Sequence, residues 1–285
     1  MPKPTLSIVI PTHKRPHILK RCLEHIEKQT VAGQLEVIVV SDGPDDMARR
    51  VLEDKGWAMP VKFFEIPKSQ QGVARNKGVS EASGEFILFI GDDIFLAPGA
   101  CEKHLAAHVS QYHDLQYAVL GFTTWDPGCG ITPVMKWLEK SGWQFGYPFI
   151  RRYGGHFLPD AIQQRFTYTS HISLPAKIAR KFAFREDVTF YGWEDIEWGW
   201  RLRNAGIKLF YESTATALHH HRIMMEDSLK RMETLGQSAV IMDRLAPGMN
   251  LTPTGRRLMK YRAAALLPGL RGMHTRAFLR GVGSA

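Results

Sequence analysis

The chain has 285 residues, with 37 Lys and Arg against 28 Asp and Glu, a formal charge of +9, and 44% of its residues are apolar. That apolar share supplies a sizeable core and excludes a disordered chain. Three widely spaced cysteines, Cys22, Cys101 and Cys129, with no CxxC exclude a disulfide framework or a zinc ribbon and suit a reducing cytosol.

Residues 6–11 (LSIVIP) form an apolar, β-branched run ended by proline, which predicts a buried strand. The stretch before it has no charged segment leading into an apolar one, so no signal peptide is expected. Residues 17–29 place Ile18, Leu19, Cys22, Leu23 and Ile26 at helical spacing. Residues 35–40 (LEVIVV) predict a second strand, ended by Ser41-Asp42-Gly43-Pro44. A helix over 46–55, a strand over 61–66, a helix over 72–82 and a strand over 85–90 follow, the last running into Gly91-Asp92-Asp93. Such alternation implies a mainly parallel sheet with helices on both faces, and ligands in such sheets bind at the carboxyl ends of the strands. Thr12-His13, Ser41-Asp42-Gly43 and Asp92-Asp93 all fall at such ends.

Residues 121–166 are rich in Gly, Pro and aromatics and are expected to be loops that shape a pocket. Residues 192–206 predict a helix with Trp193, Ile196 and Trp200 on one face and Gly206 past its end. Short strands over 208–211 and 214–218 lead to His219-His220-His221. His104 and His108, at i and i+4, read as a surface pair. No run nears the ~18 apolar residues that a membrane span needs.

The charge is uneven. Residues 244–285 hold eight Lys and Arg and no acid, which leaves 29 basic against 28 acidic residues for the first 243. Basic residues interleaved with apolar ones suit an amphipathic segment on an anionic membrane, and suit equally a helix packed on the body with a solvated basic face. Pro268 and Gly269 are expected to interrupt it. Without a matching patch in the body, nucleic acid is not the expected partner. The expected organisation is one domain over 1–243, with a nucleotide-binding half (1–100) and an acceptor-binding half (101–243), and a basic amphipathic tail over 244–285.

No GxxxxGK[ST], GxGxxG or GxSxG is present. A nucleotide-type sheet without these loops is left with a metal on the aspartates and the helix N-terminus near Gly72 to hold phosphates.

SIVIPTHKRP at 7–16, EVIVVSDG at 36–43, GVARNKGVSEASGEFILFIGDDIFLAPG at 72–99, GWEDIEWGWRLRNAGIKLFY at 192–211 and the histidines at 219–221 together resemble the family 2 glycosyltransferases of the GT-A fold. The resemblance implies an α/β fold with a mixed, mainly parallel sheet flanked by helices. It also implies sugar transfer with inversion from a nucleotide-activated donor, usually with Mn²⁺ or Mg²⁺. The family's Asp-x-Asp metal motif stands here as Gly91-Asp92-Asp93, so the first aspartate is missing. Asp93 matches the second and is the expected metal ligand, Asp92 then facing the donor ribose. His219 matches the histidine that completes the metal shell, with His221 next to it.

Asp42 matches the aspartate that binds the donor base, which favours a UDP-type donor, unless it only forms an Asx turn with Gly43-Pro44. Thr12, His13 and Arg15 would flank base and ribose, and Arg75 and Asn76 match a triplet placed for the pyrophosphate. Asp195, beside Glu194, matches the general base. At a helix start its pKa is expected to be held low, so its strength would come from position. Glu197 reads as a solvated partner of Arg201. Trp193 is the expected platform for an acceptor sugar, and His171 stands where the family often has Asn near the acceptor. The expected acceptor is a glycan or a lipid-linked hydroxyl in cell-surface polysaccharide synthesis, on the cytoplasmic side near the membrane. A sugar-1-phosphate nucleotidyltransferase, which would want a Gly-rich loop after the first strand, and a non-catalytic membrane-docked scaffold are the competing readings.

Overall fold

The computed structural model describes residues 3–53, 55–109 and 115–285. Its strands are β1 (Leu6–Thr12), β2 (Leu35–Asp42), β3 (Val61–Ile66), β4 (Phe86–Ile90), β5 (Ile94–Leu96), β6 (Tyr117–Trp125), β7 (His156–Phe157), β8 (His171–Pro175) and β9 (Lys208–His219). Its helices are α1 (Pro16–Glu27), α2 (Asp46–Glu53), α3 (Gln71–Glu81), α4 (Ala100–His108), α5 (Pro133–Ser141), α6 (Tyr147–Ile150), α7 (Ala176–Lys181), α8 (Glu194–Asn204), α9 (Met225–Leu245), α10 (Gly255–Ala265) and α11 (Gly269–Gly283). The helix expected over 46–55 is seen to Glu53, and residue 54 lies outside the described residues.

Among the described residues the strands form one sheet in the order β3-β2-β1-β4-β8-β6-β9-β5, with β7 on β9. The first four are parallel, β8 runs antiparallel between β4 and β6, and β6 and β9 are parallel. The mixed, mainly parallel sheet expected from the sequence is therefore present. Alternation along the strands divides the core. Leu6, Ile8 and Ile10 meet Leu19, Cys22, Leu23 and Ile26 of α1 on one face. Val9, Ile38 and Phe89 meet Ala74, Val79, Ala179 and Trp198 of α3, α7 and α8 on the other. Gly78 lets α3 approach β1, since a Cβ there would fall 2.3 Å from Val9 Cγ1.

The expected loop region, 121–166, begins inside a nine-residue strand, β6. β6 pairs Gly121 with Glu212 and then Phe122 with Thr216, so residues 213–215 of β9 bulge out with no counterpart. The boundary expected at 243/244 falls inside α9, a 21-residue helix. No described helix is long and apolar enough to cross a membrane.

At the amino ends of the strands, the buried Glu36 carboxylate accepts hydrogen bonds from the Ser7 and Ser83 hydroxyls and the Ser83 and Gly84 amides, and pairs with Lys62 at 2.9 Å. Burial alone would push its pKa up, but these donors lower it from 4.5 to about 2. The folded pKa lies below the unfolded one, so this stabilisation is complete above pH 4.5 and is lost as pH falls toward 2. Glu36→Ala strands those donors and is expected to cost about 3 kcal/mol at neutral pH, with a smaller loss at pH near 3. Urea unfolding at the two pH values measures this.

Candidate active site

The β4–β5 turn carries Gly91-Asp92-Asp93 to the carboxyl edge of the sheet, where β9 ends. Antiparallel pairing sets His219 opposite Ile94, and the His220 amide donates to the Asp93 carbonyl at 2.8 Å. Extended backbone alternates side chains, so His219 and His221 face Asp93 while His220 turns away. His219 Nε2 lies 3.6 Å and His221 Nδ1 3.4 Å from Asp93 Oδ2. One ligand atom from each of the three lies within 4.8 Å of the others. A carboxylate and two imidazoles without a thiolate suit a divalent cation such as Mn²⁺. His219 Nδ1 is buried with no hydrogen-bond partner among the described residues. Burial would raise the Asp93 pKa, but His219, His221 and Arg15 hold it well below the carboxylate range.

Asp126, at the end of β6, was not singled out by sequence. Its carboxylate takes His220 Nδ1 at 2.6 Å and the Gly128 amide at 2.9 Å. Arg21 also reaches His220 Nε2 at 3.0 Å, so the middle histidine anchors the segment that presents its neighbours. Trp125 stacks on His219 at 5.2 Å and Phe145 packs on it at 5.8 Å. The TTWD run before Pro127 could have signalled a strand end carrying a carboxylate.

Gly91 leaves room for the Asp93 carboxylate. A Cβ at this position would lie 2.8 Å from Asp93 Oδ1. Gly91→Asp, which rebuilds the full Asp-x-Asp, is therefore expected to twist Asp93 away from the histidines and weaken Mn²⁺ binding about tenfold. Titration calorimetry reads this, and tighter binding would refute the steric argument.

The donor-side residues do not behave as one set. Thr12 donates to Asp92 at 2.7 Å, and Arg15 bridges Asp92 and Asp93, reaching Asp93 at 2.9 Å. Asp92 is fully buried. Its pKa is pushed up by burial and by Asp93, against the pull of Arg15 and Thr12. His13 is exposed. Asp42 is buried and accepts from Lys68 and from the Ser69 amide, so in this structure its oxygens hold the 68–69 loop. Asn76 donates to the Phe184 carbonyl and to Glu186 and accepts from the Phe184 amide, clasping 184–186 to α3. Gly72 at the start of α3 packs toward Phe184. Arg75, the residue expected at the pyrophosphate, lies beside the α8 acids. It is buried, lies 3.6 Å from Glu194 and bonds Gln71 at 3.1 Å.

Asp195 sits in the first turn of α8. The chain enters that helix through Gly192 (φ +92) and Trp193 (φ +69), a left-handed conformation that is strained for tryptophan. α9 fixes this turn: Trp193 Nε1 donates to the Leu235 carbonyl at 2.9 Å, and Ser238 to the Tyr191 carbonyl at 2.7 Å. Trp193, the residue expected to carry an acceptor sugar, is thus half-buried and tied to α9 through its indole nitrogen. Thr167 donates to the Asp195 carbonyl at 2.8 Å. The expected low pKa is also overturned. Burial and the neighbouring Glu194 push Asp195 up to about 7, outweighing Arg75 and the local amides. Tyr168 feels the Asp195 charge, lies 5.2 Å from Phe145, and Phe145 touches His219. An aromatic floor therefore links Asp195 to Asp93.

Beside that floor, Phe122, Trp125, Phe145, Tyr147 and Tyr211 line a cavity of about 660 Å³, with Lys140 and Arg151 among its other walls. His171 is not part of it: the ring is fully buried, against Gly121 and 4.9 Å from His104. His104 and His108, expected on the surface, are buried and both bond the Ser173 hydroxyl at 2.8 Å. Burial holds both rings neutral, His108 at about 3. Glu197 is buried too, although its pairing with Arg201 at 2.8 Å is as expected. Trp198, at 0% exposure, is the core tryptophan of α8, and Trp200 is only half-buried.

A family model described as glycosyl transferase family 2 matches residues 7–157. The chain is 30% identical over 231 residues to validoxylamine A glucosyltransferase of Streptomyces hygroscopicus subsp. limoneus, covering 72% of this chain and 49% of that protein. It spans about half or less of the length of the curated relatives it matches. Among solved structures it is similar to the mannosyltransferase PcManGT of Pyrobaculum calidifontis, in complex with GDP-Man and Mn²⁺, with a TM-score of 0.61 at 14% identity over 99% of this chain and 75% of that one. It is also similar to S. aureus TarS in complex with UDP-GlcNAc, with a TM-score of 0.56 at 16% identity over 98% of this chain and 80% of that one. At these identities the two structures show the shared GT-A fold. The family match covers more than half of the sequence, and the chain belongs to glycosyl transferase family 2.

Proposed function

We propose that the chain is an inverting, divalent-cation-dependent glycosyltransferase that moves a sugar from a nucleoside diphosphate donor, of UDP type, to a hydroxyl of a glycan or lipid-linked acceptor. The observation that carries this is the pairing of the Asp93–His219–His221 cluster with the half-buried Asp195 across one aromatic floor. Asp93, His219 and His221 would hold Mn²⁺ or Mg²⁺, and such a cation neutralises charge that develops on a departing diphosphate. Asp195 takes the proton from the acceptor hydroxyl as that oxygen attacks the anomeric carbon opposite the leaving group. The Thr167 bond and the α9 clamp hold the carboxylate in place, and Arg15 balances the Asp92–Asp93 charge. The aromatic cavity beside Trp125 supplies ring faces on which an acceptor sugar stacks. A relative named as a glucosyltransferase and fold neighbours solved with GDP-Man and UDP-GlcNAc support a nucleoside diphosphate sugar as the donor class.

A screen of nucleotide sugars for Mn²⁺-dependent thermal stabilisation tests this reading, because a ligand bound only by the native state raises stability by mass action. The matching donor should then yield nucleoside diphosphate. Release of pyrophosphate would assign the site to nucleotidyl transfer, and no stabilisation by any nucleotide would favour a binding scaffold.

A further inference from the structure

The basic tail consists of two helices of opposite character. α11 is built into the body. A Cβ at Gly236 of α9 would fall 2.1 Å from the Phe278 carbonyl oxygen, and one at Gly281 would fall 1.9 Å from that of Glu233. His274 is buried, bonded to Ser228 at 2.7 Å and packed 4.6 Å from Trp137. α11 therefore packs on the body through its glycines and His274.

α10 has no buried residue. It reaches the body through Tyr261, whose ring lies 5.6 Å from that of Phe278, and through Arg257, which donates to the carbonyls of Asn250 and Leu251. At about 3.6 residues per turn, Met259, Ala263 and Leu266 fall together on the face opposite Tyr261. Met259 is 69% exposed and Leu266 85%. Arg256 and Lys260 flank this apolar stripe on one side and Arg262 on the other. None of the three pairs with an acid among the described residues, and no Asp or Glu occurs after Asp243. The nearest acids are engaged: Glu233 holds Arg280 at 3.0 Å, and Asp243 takes the amides of Leu251 and Thr252.

We propose that α10 is an in-plane docking helix for an anionic lipid surface. An outward apolar stripe between unpaired cations fits an interface where acyl chains lie beneath anionic headgroups. It fits a nucleic acid poorly, because a phosphate backbone offers nothing to Met259 and Leu266. The proposal goes beyond sugar transfer and does not depend on it.

The test uses the full chain and sucrose-loaded vesicles of phosphatidylcholine, with and without phosphatidylglycerol. Phosphatidylglycerol is expected to strengthen binding at least tenfold, and added salt to weaken it. M259E/L266E should lower partitioning about tenfold or more. R256Q/K260Q/R262Q should lower it about a hundredfold, at roughly 1 kcal/mol per basic residue. Unchanged melting temperatures show that the body is intact, as expected for a helix with no buried residue. Equal binding to both vesicle types, or unchanged binding of the variants, overturns the proposal. So does a solution dimer that M259E/L266E dissociates, which assigns the face to a second copy.

Discussion

Replacing Asp195 by Asn is expected to lower kcat for glycosyl transfer by roughly a thousandfold, the size of a lost general base, while donor binding stays within about twofold. The wild-type pH profile should carry the same signature. The base works deprotonated, and burial with Glu194 raises its pKa to about 7. kcat/KM should therefore rise tenfold per pH unit below about pH 7 and level off above it. Stability should run the other way. The folded pKa lies above the unfolded value of 3.8, so the folded state binds the extra proton between those limits, and stability falls as pH rises through that window. Asp195→Asn removes the cost of ionising this site and should raise stability above pH 7 by about 2 kcal/mol, readable as a higher Tm. A variant that loses activity and gains stability fits a strained base. One that loses both would make Asp195 a structural carboxylate.

Asp93→Asn is the second large effect. It removes the carboxylate shared by His219, His221 and Arg15. Turnover should fall by about 10² to 10³, the range for losing a group that stabilises developing charge. Chelation of the wild type should give a similar floor, and Mn²⁺ should restore the wild type but not the variant. His221→Ala should cost about tenfold less than His219→Ala, because the His221 side chain is 49% exposed and water can replace it. Full activity in excess chelator would remove the cation from the mechanism.

The first ninety residues were legible because β1, β2 and β4 are largely apolar runs, as strands buried on both faces require, and β3 is a short run closed by Pro67. β1 to β4 lie within two residues of their expected bounds. The later helices were not legible, for a specific reason. α9 buries Ser228, Gly236, Ser238, Ala239 and Met242, and α11 buries Gly272, His274, Thr275, Ala277 and Phe278. Two helices that meet at glycine backbones need few large apolar residues, so the usual 3.6-residue hydrophobic pattern never appears. In the site, the spacing of Asp93, His219 and His221 was readable, because strand alternation is local. The orientation of Arg75 and Asn76, the burial of His171 and the raised pKa of Asp195 were not, because each depends on what another segment packs over it.

The bulge at residues 213–215 has a consequence for how this chain tolerates change in length. Beyond it, Thr216 to His219 are anchored again to β6 from Phe122 to Trp125. Within the bulge Thr214 is exposed and Ala215 is fully buried, so a residue gained or lost at Thr214 leaves the downstream phase untouched. A single insertion or deletion between Thr216 and His219 swaps odd for even positions and offers one imidazole where two now stand. Within a few residues β9 therefore joins an exposed position that can take a change in length to a stretch that forbids one.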